Sequence, residues 1–187
     1  MSQSNKNINE SVRDFVQIAP AQVKRNEESY EQTRVFTLRV LRIALLAYRR
    51  LNQVCMTARL LRDLMDFALR RYHAYCIKEQ HGAHYREIGV HKRDCDFEHV
   101  LPAALARDLM IHGCMTPEQA MNIPTCQLSR KKHQQLNSTK LSKTTPDIVN
   151  FWQRYQDLGV QIETRNGDPV NFAAWTLADH YTYFGLA

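Results

Sequence analysis

The stretch Asp96-Phe97-Glu98-His99-Val100-Leu101-Pro102 decides how this chain is read. Asp96 to Leu101 is strand-like in residue type. Pro102 then allows a helix to begin, because its fixed φ suits the first helical turn and its missing N–H is not needed there. Ala103 to His112 has the pattern of that helix. Adjacent side chains on a strand point to opposite faces, so Glu98 and His99 cannot easily ligate one metal ion together but can do separate jobs. A backbone bend before Pro102 would aim both into one pocket.

Downstream, Thr116-Pro117-Glu118-Gln119 is a helix start, with Thr at the N-cap and Pro in the first turn. Ile123 to Leu128 is expected as a second strand, and Ser129 to Leu136 as a helix capped by Ser129 and carrying His133. Upstream, Val35, Leu38, Leu41, Leu45 and Tyr48 recur at three- and four-residue steps, which predicts a helix over Glu31–Leu51. Arg39, Arg42, Arg49 and Arg50 fall on or near its opposite face. A second helix is predicted from Thr57, as N-cap, to Ile77, burying Leu61, Leu64, Met65, Ala68 and Tyr72. The short connection makes the two an antiparallel hairpin. Residues 1 to about 30 are polar, with Pro20 among them, and are expected as an arm; His81 to Arg93 is expected as loop and short strand.

Toward the C-terminus, Asn137 to Thr145 has the composition of a loop. Pro146 to Leu158 is predicted helical through Ile148, Phe151, Trp152 and Tyr155, and Val160 to Thr164 a strand stopped by Asn166-Gly167. Asn171 is expected to cap a last helix through Ala173, Trp175 and Leu177. The tryptophans and terminal aromatics fit a core better than base-stacking platforms, and His180 fits a satisfied packing residue. The chain therefore divides into a helical region, residues 1–80, and an α+β region, residues 81–187.

Composition narrows the function classes. Hydrophobic residues make up 44% of the chain, enough for a packed core. No apolar run approaches the roughly 20 residues that cross a bilayer, and the first residues lack an apolar signal core, so a soluble, cytoplasmic protein is expected. The five cysteines, Cys55, Cys76, Cys95, Cys114 and Cys126, form no CxxC pair and are read as reduced thiols. Net charge is +6 with a pI near 9.2. Between Gln119 and Pro146 there is no acid, whereas Arg130, Lys131, Lys132, Lys140 and Lys143 are present. A phosphate backbone attracts such a segment, and a solvated loop accounts for it equally well.

Asp96 to Pro102, followed by Ile123-Pro124-Thr125-Cys126-Gln127-Leu128-Ser129-Arg130-Lys131-Lys132-His133-Gln134-Gln135-Leu136, resembles the HNH (ββα-metal) endonuclease superfamily, in its phage and mobile-element, homing-type or defence-related members. The resemblance spans Asp96 to Leu136. It implies a mainly α protein with a small ββα-metal core. It further implies Glu98 and His133 as ligands of Mg²⁺ or another divalent ion such as Mn²⁺, and His99 as general base. Glu98 stands where the family more often has Asp, the family's middle Asn has no match, and the insert Ala103–Met121 is longer than in compact members. The implied activity is metal-dependent cleavage or nicking of double-stranded DNA. Arg130, Lys131, Lys132 and Lys140 would lie against the phosphates, and Arg39 and Arg42 on a docking or homodimerising helical hairpin. The competing expectations are a repressor-like DNA-binding protein on the same scaffold without catalysis, and a helical protein–protein adaptor.

Overall fold

The computed structural model describes residues 27–51, 55–139 and 149–186. The fold is α+β, predominantly helical around one small mixed sheet. Helix α1 spans Glu27–Leu51 and α2 spans Cys55–Tyr72, and the two pack on each other. Leu41, Ala44 and Leu45 of α1 are buried, as are Met65, Ala68, Leu69 and Tyr72 of α2. The expected stripes therefore hold, with two corrections: Leu64 is 44% exposed, and Thr57 lies inside α2 instead of capping it. The chain then changes register. His73–His81 is π-helical and ends at Gly82, whose φ of 74° lies in the left-handed region that favours glycine. The α-helix predicted as far as Ile77 thus stops at Tyr72.

Four strands follow: β1 (Tyr85–Glu87), β2 (Cys95–His99), β3 (Thr125–Ser129) and β4 (Ile162–Thr164), in the spatial order β2-β3-β1-β4. β1 runs parallel to β3, and β2 pairs antiparallel with β3 from Cys95↔Ser129 to His99↔Thr125. Between β2 and β3 lie α3 (Ala103–Ile111), entered through Pro102, and α4 (Pro117–Met121). Thr116 caps α4 in a reciprocal arrangement with Gln119, as its sequence requires. Helix α5 (Arg130–Ser138) follows β3 directly and packs on β2 and β3. Ser129 occupies its N-cap position, but its side chain makes no cap bond; the Ser129 N–H instead donates to Glu87 Oε2 at 2.7 Å.

The predicted helix over Pro146–Leu158 is only one turn long among the described residues, α6 (Gln153–Asp157), with Phe151 and Trp152 in the turn before it. β4 ends in the turn at Asn166-Gly167, as expected. Asn171 does not cap the last helix. Its side chain accepts from Ala173 N at 3.1 Å, and α7 (Leu177–Phe184) starts later, capped by Thr176 and Asp179. Among the described residues one apolar cluster runs from Leu41 and Met65 through Leu101, Met110 and Leu128 to Trp152 and Ile162. Trp152 is fully buried against Tyr85 and Phe172. His180 is buried and doubly bonded, to Tyr85 Oη at 2.9 Å and the Asn122 carbonyl at 2.8 Å, the packing role expected of it.

Among the described residues no helix is long and apolar enough to cross a membrane. Cys76, Cys95, Cys114 and Cys126 are free thiols.

Candidate functional site

Strand β2 places successive side chains on opposite faces of the sheet. Asp96 and Glu98 share the face on which α5 packs, and Phe97 and His99 share the other. Because α5 leaves the end of β3, the neighbour of β2, its first turns lie over β2. His133, one turn into α5, therefore reaches both acids. Its Nδ1 lies 3.0 Å from Asp96 Oδ2 and its Nε2 lies 3.2 Å from Glu98 Oε2. Glu98 and His133, singled out from sequence, thus meet in space. Asp96, quoted in the same motif without a role, joins them.

The contact between Glu98 and His133 has an electrostatic peculiarity. An ionised Asp96 can only accept, so the hydrogen between it and His133 sits on Nδ1. A neutral His133 then presents its Nε2 lone pair to Glu98 Oε2, and two acceptors face each other. Something positive must lie between them, either a proton on one of the two groups or a metal ion. Glu98 itself is pushed toward the protonated form by burial, opposed by the positive charge of Arg154 and by His133.

The other oxygen of Glu98 is held from α6. Arg154 is fully buried, and its guanidinium lies 3.1 Å from Glu98 Oε1. It also donates to the Val100 carbonyl at 2.7 Å and to the His99 carbonyl. Arg154 therefore ties down the end of β2 where the chain leaves the sheet. Sequence reasoning missed it, although its place three residues after Phe151, on the apolar side of that segment, was the available signal.

His99 does not enter this pocket. Its Nε2 lies 2.9 Å from Nδ1 of His73, at the start of the π-helical stretch, and its ring packs edge-on to Phe97. The bend that would bring Glu98 and His99 together does not occur: β2 stays regular through His99. Burial holds the His99 imidazolium well below the usual histidine range, with smaller contributions from His73 and nearby arginines. His73 is wholly buried and lowered to about 4, again chiefly by burial. His73 was also missed, and its position one turn after the buried Leu69 was the signal.

The basic residues divide. Arg130 and Lys131 are exposed at the start of α5, beside His133. Arg130 donates to the Arg93 carbonyl at 2.7 Å and lies 3.7 Å from Asp96. The Lys132 ammonium, expected to face phosphate, donates to the Leu158 carbonyl. Lys140 lies outside the described residues. Arg39, Arg42, Arg49 and Arg50 are exposed on α1, and Arg42 is paired with Glu118.

Among the described residues no group of three or more His, Cys, Asp and Glu converges to hold a metal ion. The donors that do converge are one carboxylate oxygen, Glu98 Oε2, and one imidazole nitrogen, His133 Nε2. The carboxylate suits Mg²⁺ or Mn²⁺, whereas an imidazole is a ligand more usual for zinc, copper, iron or nickel. Two such donors would hold a divalent ion only with water and substrate phosphate completing its shell. Asp96 on the far nitrogen of His133 and Arg154 on the far oxygen of Glu98 are the outer contacts that aim such ligands. Comparison with known proteins returned no match to a family model, a curated protein or a solved structure.

Proposed function

We propose that the chain is a divalent-metal-dependent endonuclease of HNH type that cleaves or nicks double-stranded DNA. The observation that carries this reading is the line Asp96–His133–Glu98, in which a carboxylate holds one imidazole nitrogen and leaves the other facing a buried carboxylate oxygen. A cation held by Glu98 and His133 would neutralise a phosphodiester and stabilise the departing 3′-oxygen. Asp96 fixes the His133 ring, and Arg154 fixes Glu98 and the end of β2. Arg130 and Lys131, on the same helix as His133, supply positive charge along the backbone of the DNA.

His99, kept neutral by burial, has the residue type of a general base. Its place on the other face of β2 requires the scissile phosphate to lie at the strand's end, where β2 stops and the chain turns through Val100 and Leu101 toward Pro102. Incubating supercoiled plasmid with the protein and Mg²⁺ or Mn²⁺, with EDTA as control, should give relaxed or linear product only with metal. His133→Ala should abolish it, and His99→Ala should slow it at least ~100-fold with DNA affinity little changed. Intact plasmid with both metals over a range of DNA sequences would overturn the reading.

A second reading is favoured by one specific observation, the buried guanidinium of Arg154 at 3.1 Å from Glu98. Arg154 already balances the carboxylate, so the same scaffold serves a repressor-like protein that binds DNA without cutting it. DNA binding that is unchanged by EDTA, with no cleavage, would select this alternative.

A further inference from the structure

Two contacts in series reach His99 from the face of β2 opposite His133. His99 Nε2 lies 2.9 Å from His73 Nδ1, and His73 Nε2 lies 3.0 Å from the carbonyl oxygen of Met121. The rings of the two histidines are 4.8 Å apart. A carbonyl oxygen can only accept, so the hydrogen in the second contact belongs to His73 Nε2. A neutral imidazole carries one N–H, and wholly buried His73 stays neutral down to about pH 4. Its Nδ1 is then an acceptor, and the hydrogen in the first contact must come from His99 Nε2. That leaves the lone pair of His99 on Nδ1.

We propose that His73 is a positioning residue for His99: it holds His99 as the Nε2–H tautomer, with the lone pair on Nδ1 as the nitrogen that takes the proton from water. The assignment rests on the nuclease reading, in which His99 is the base. The proton balance is simple. Water gives its proton to His99 Nδ1, the resulting hydroxide attacks phosphorus, and the bond to the 3′-oxygen breaks with its electron pair leaving on that oxygen. His99 Nε2–H keeps its hydrogen throughout, and the positive charge formed on His99 is shared with the His73 lone pair. The sequence places this partner outside the resemblance, at the junction of α2 with the π-helical stretch, where a widened helical turn often marks a functional site.

The test has two arms on the full chain. Imidazole nitrogen NMR, with the His99 signals assigned by their loss in His99→Gln, should show His99 protonated at Nε2 and bare at Nδ1 in the wild-type protein. Plasmid cleavage should fall about 10- to 100-fold in kcat for His73→Leu, the range for loss of a contact that orients a functional histidine, with KM for DNA unchanged. His73→Gln should recover most of the rate, because its amide oxygen accepts from His99 and its amide N–H donates to Met121. A wild-type protein that cuts DNA but carries its hydrogen on His99 Nδ1 overturns the positioning role and leaves the nuclease reading standing. Equal loss in kcat for the Leu and Gln variants, both folded, overturns it too. A protein that holds the expected tautomer yet cuts no DNA overturns the nuclease reading and reduces His73 to a packing partner.

Discussion

The two faces of β2 are separated by one peptide unit and work under opposite electrostatic rules. On the α5 face, the carboxylates of Asp96 and Glu98 meet the guanidinium groups of Arg130 and Arg154, with the His133 ring between the two acids. On the other face, His99 and His73 are neutral, and their order comes from hydrogen-bond direction instead of charge. A buried charge requires a partner and a buried neutral imidazole requires a directed donor and acceptor. Alternation along a strand lets one short segment satisfy both demands.

Breaking the charged face should have the largest effect. Removing one partner of a buried ion pair costs about 3–5 kcal/mol, because the other charge is left desolvated. Arg154→Met should therefore lower stability by roughly that amount in urea titrations. Adding Glu98→Leu should recover much of the loss, since paired apolar replacements are often neutral. A single-variant loss below about 1 kcal/mol would mean that water reaches the pair.

Acid sharpens the comparison from the neutral face. His73 and His180 have folded pKa values lowered to about 4, against a usual value near 6.5. The unfolded chain binds their protons first as pH falls. Their contribution to stability is thus fully present above about 6.5 and is lost between there and about 4, on the order of 3 kcal/mol per group. Glu98 acts in the opposite sense, because burial raises its pKa and its protonation in the fold opposes part of the loss. Equilibrium unfolding at a series of pH values should show a steep fall across this window, shallower in His73→Gln. A flat profile would place these rings in contact with solvent.

The next effect depends on a metal ion. A divalent ion at 100 times its dissociation constant stabilises a folded protein by about 2.7 kcal/mol. Thermal unfolding of the wild-type chain should shift upward with Mn²⁺, whereas Glu98→Gln and His133→Ala should not respond. Glu98→Gln keeps a bond to Arg154 through its amide oxygen but leaves the buried guanidinium without its counter-charge, so its own unfolding temperature is lower and only the shift with Mn²⁺ is compared. An equal shift in all three proteins would locate metal binding elsewhere.

The smallest effect lies at the exposed end of α5. Lys131→Ala should flatten the slope of log DNA affinity against log salt by about 0.9, one phosphate contact. Lys132→Ala should change it less, because the Lys132 ammonium donates to the Leu158 carbonyl. Should the salt slope respond only to Arg39 and Arg42, the DNA lies on α1 and away from His133.

Local chemistry in the sequence was sufficient for much of this protein. The apolar stripes of α1 and α2, the Thr116 cap, the strand before Pro102, the turn at Asn166-Gly167 and the helix bearing His133 all follow from residue type and spacing. The choice of Glu98 and His133 came from the resemblance, and the statement that Glu98 and His99 project to opposite faces came from strand alternation. Tertiary structure decided what those side chains meet. Arg154 and His73 lie far along the chain from β2, and each sits at a position that helical periodicity reserves for an apolar residue. Only the packed fold supplies the carboxylate and carbonyls that make a buried guanidinium stable, the burial that keeps an imidazole neutral and the acceptor that directs it. The π-helical stretch after Tyr72 and the late start of α7 likewise depend on what packs against them, because local propensities differ by less than the burial of one large side chain contributes.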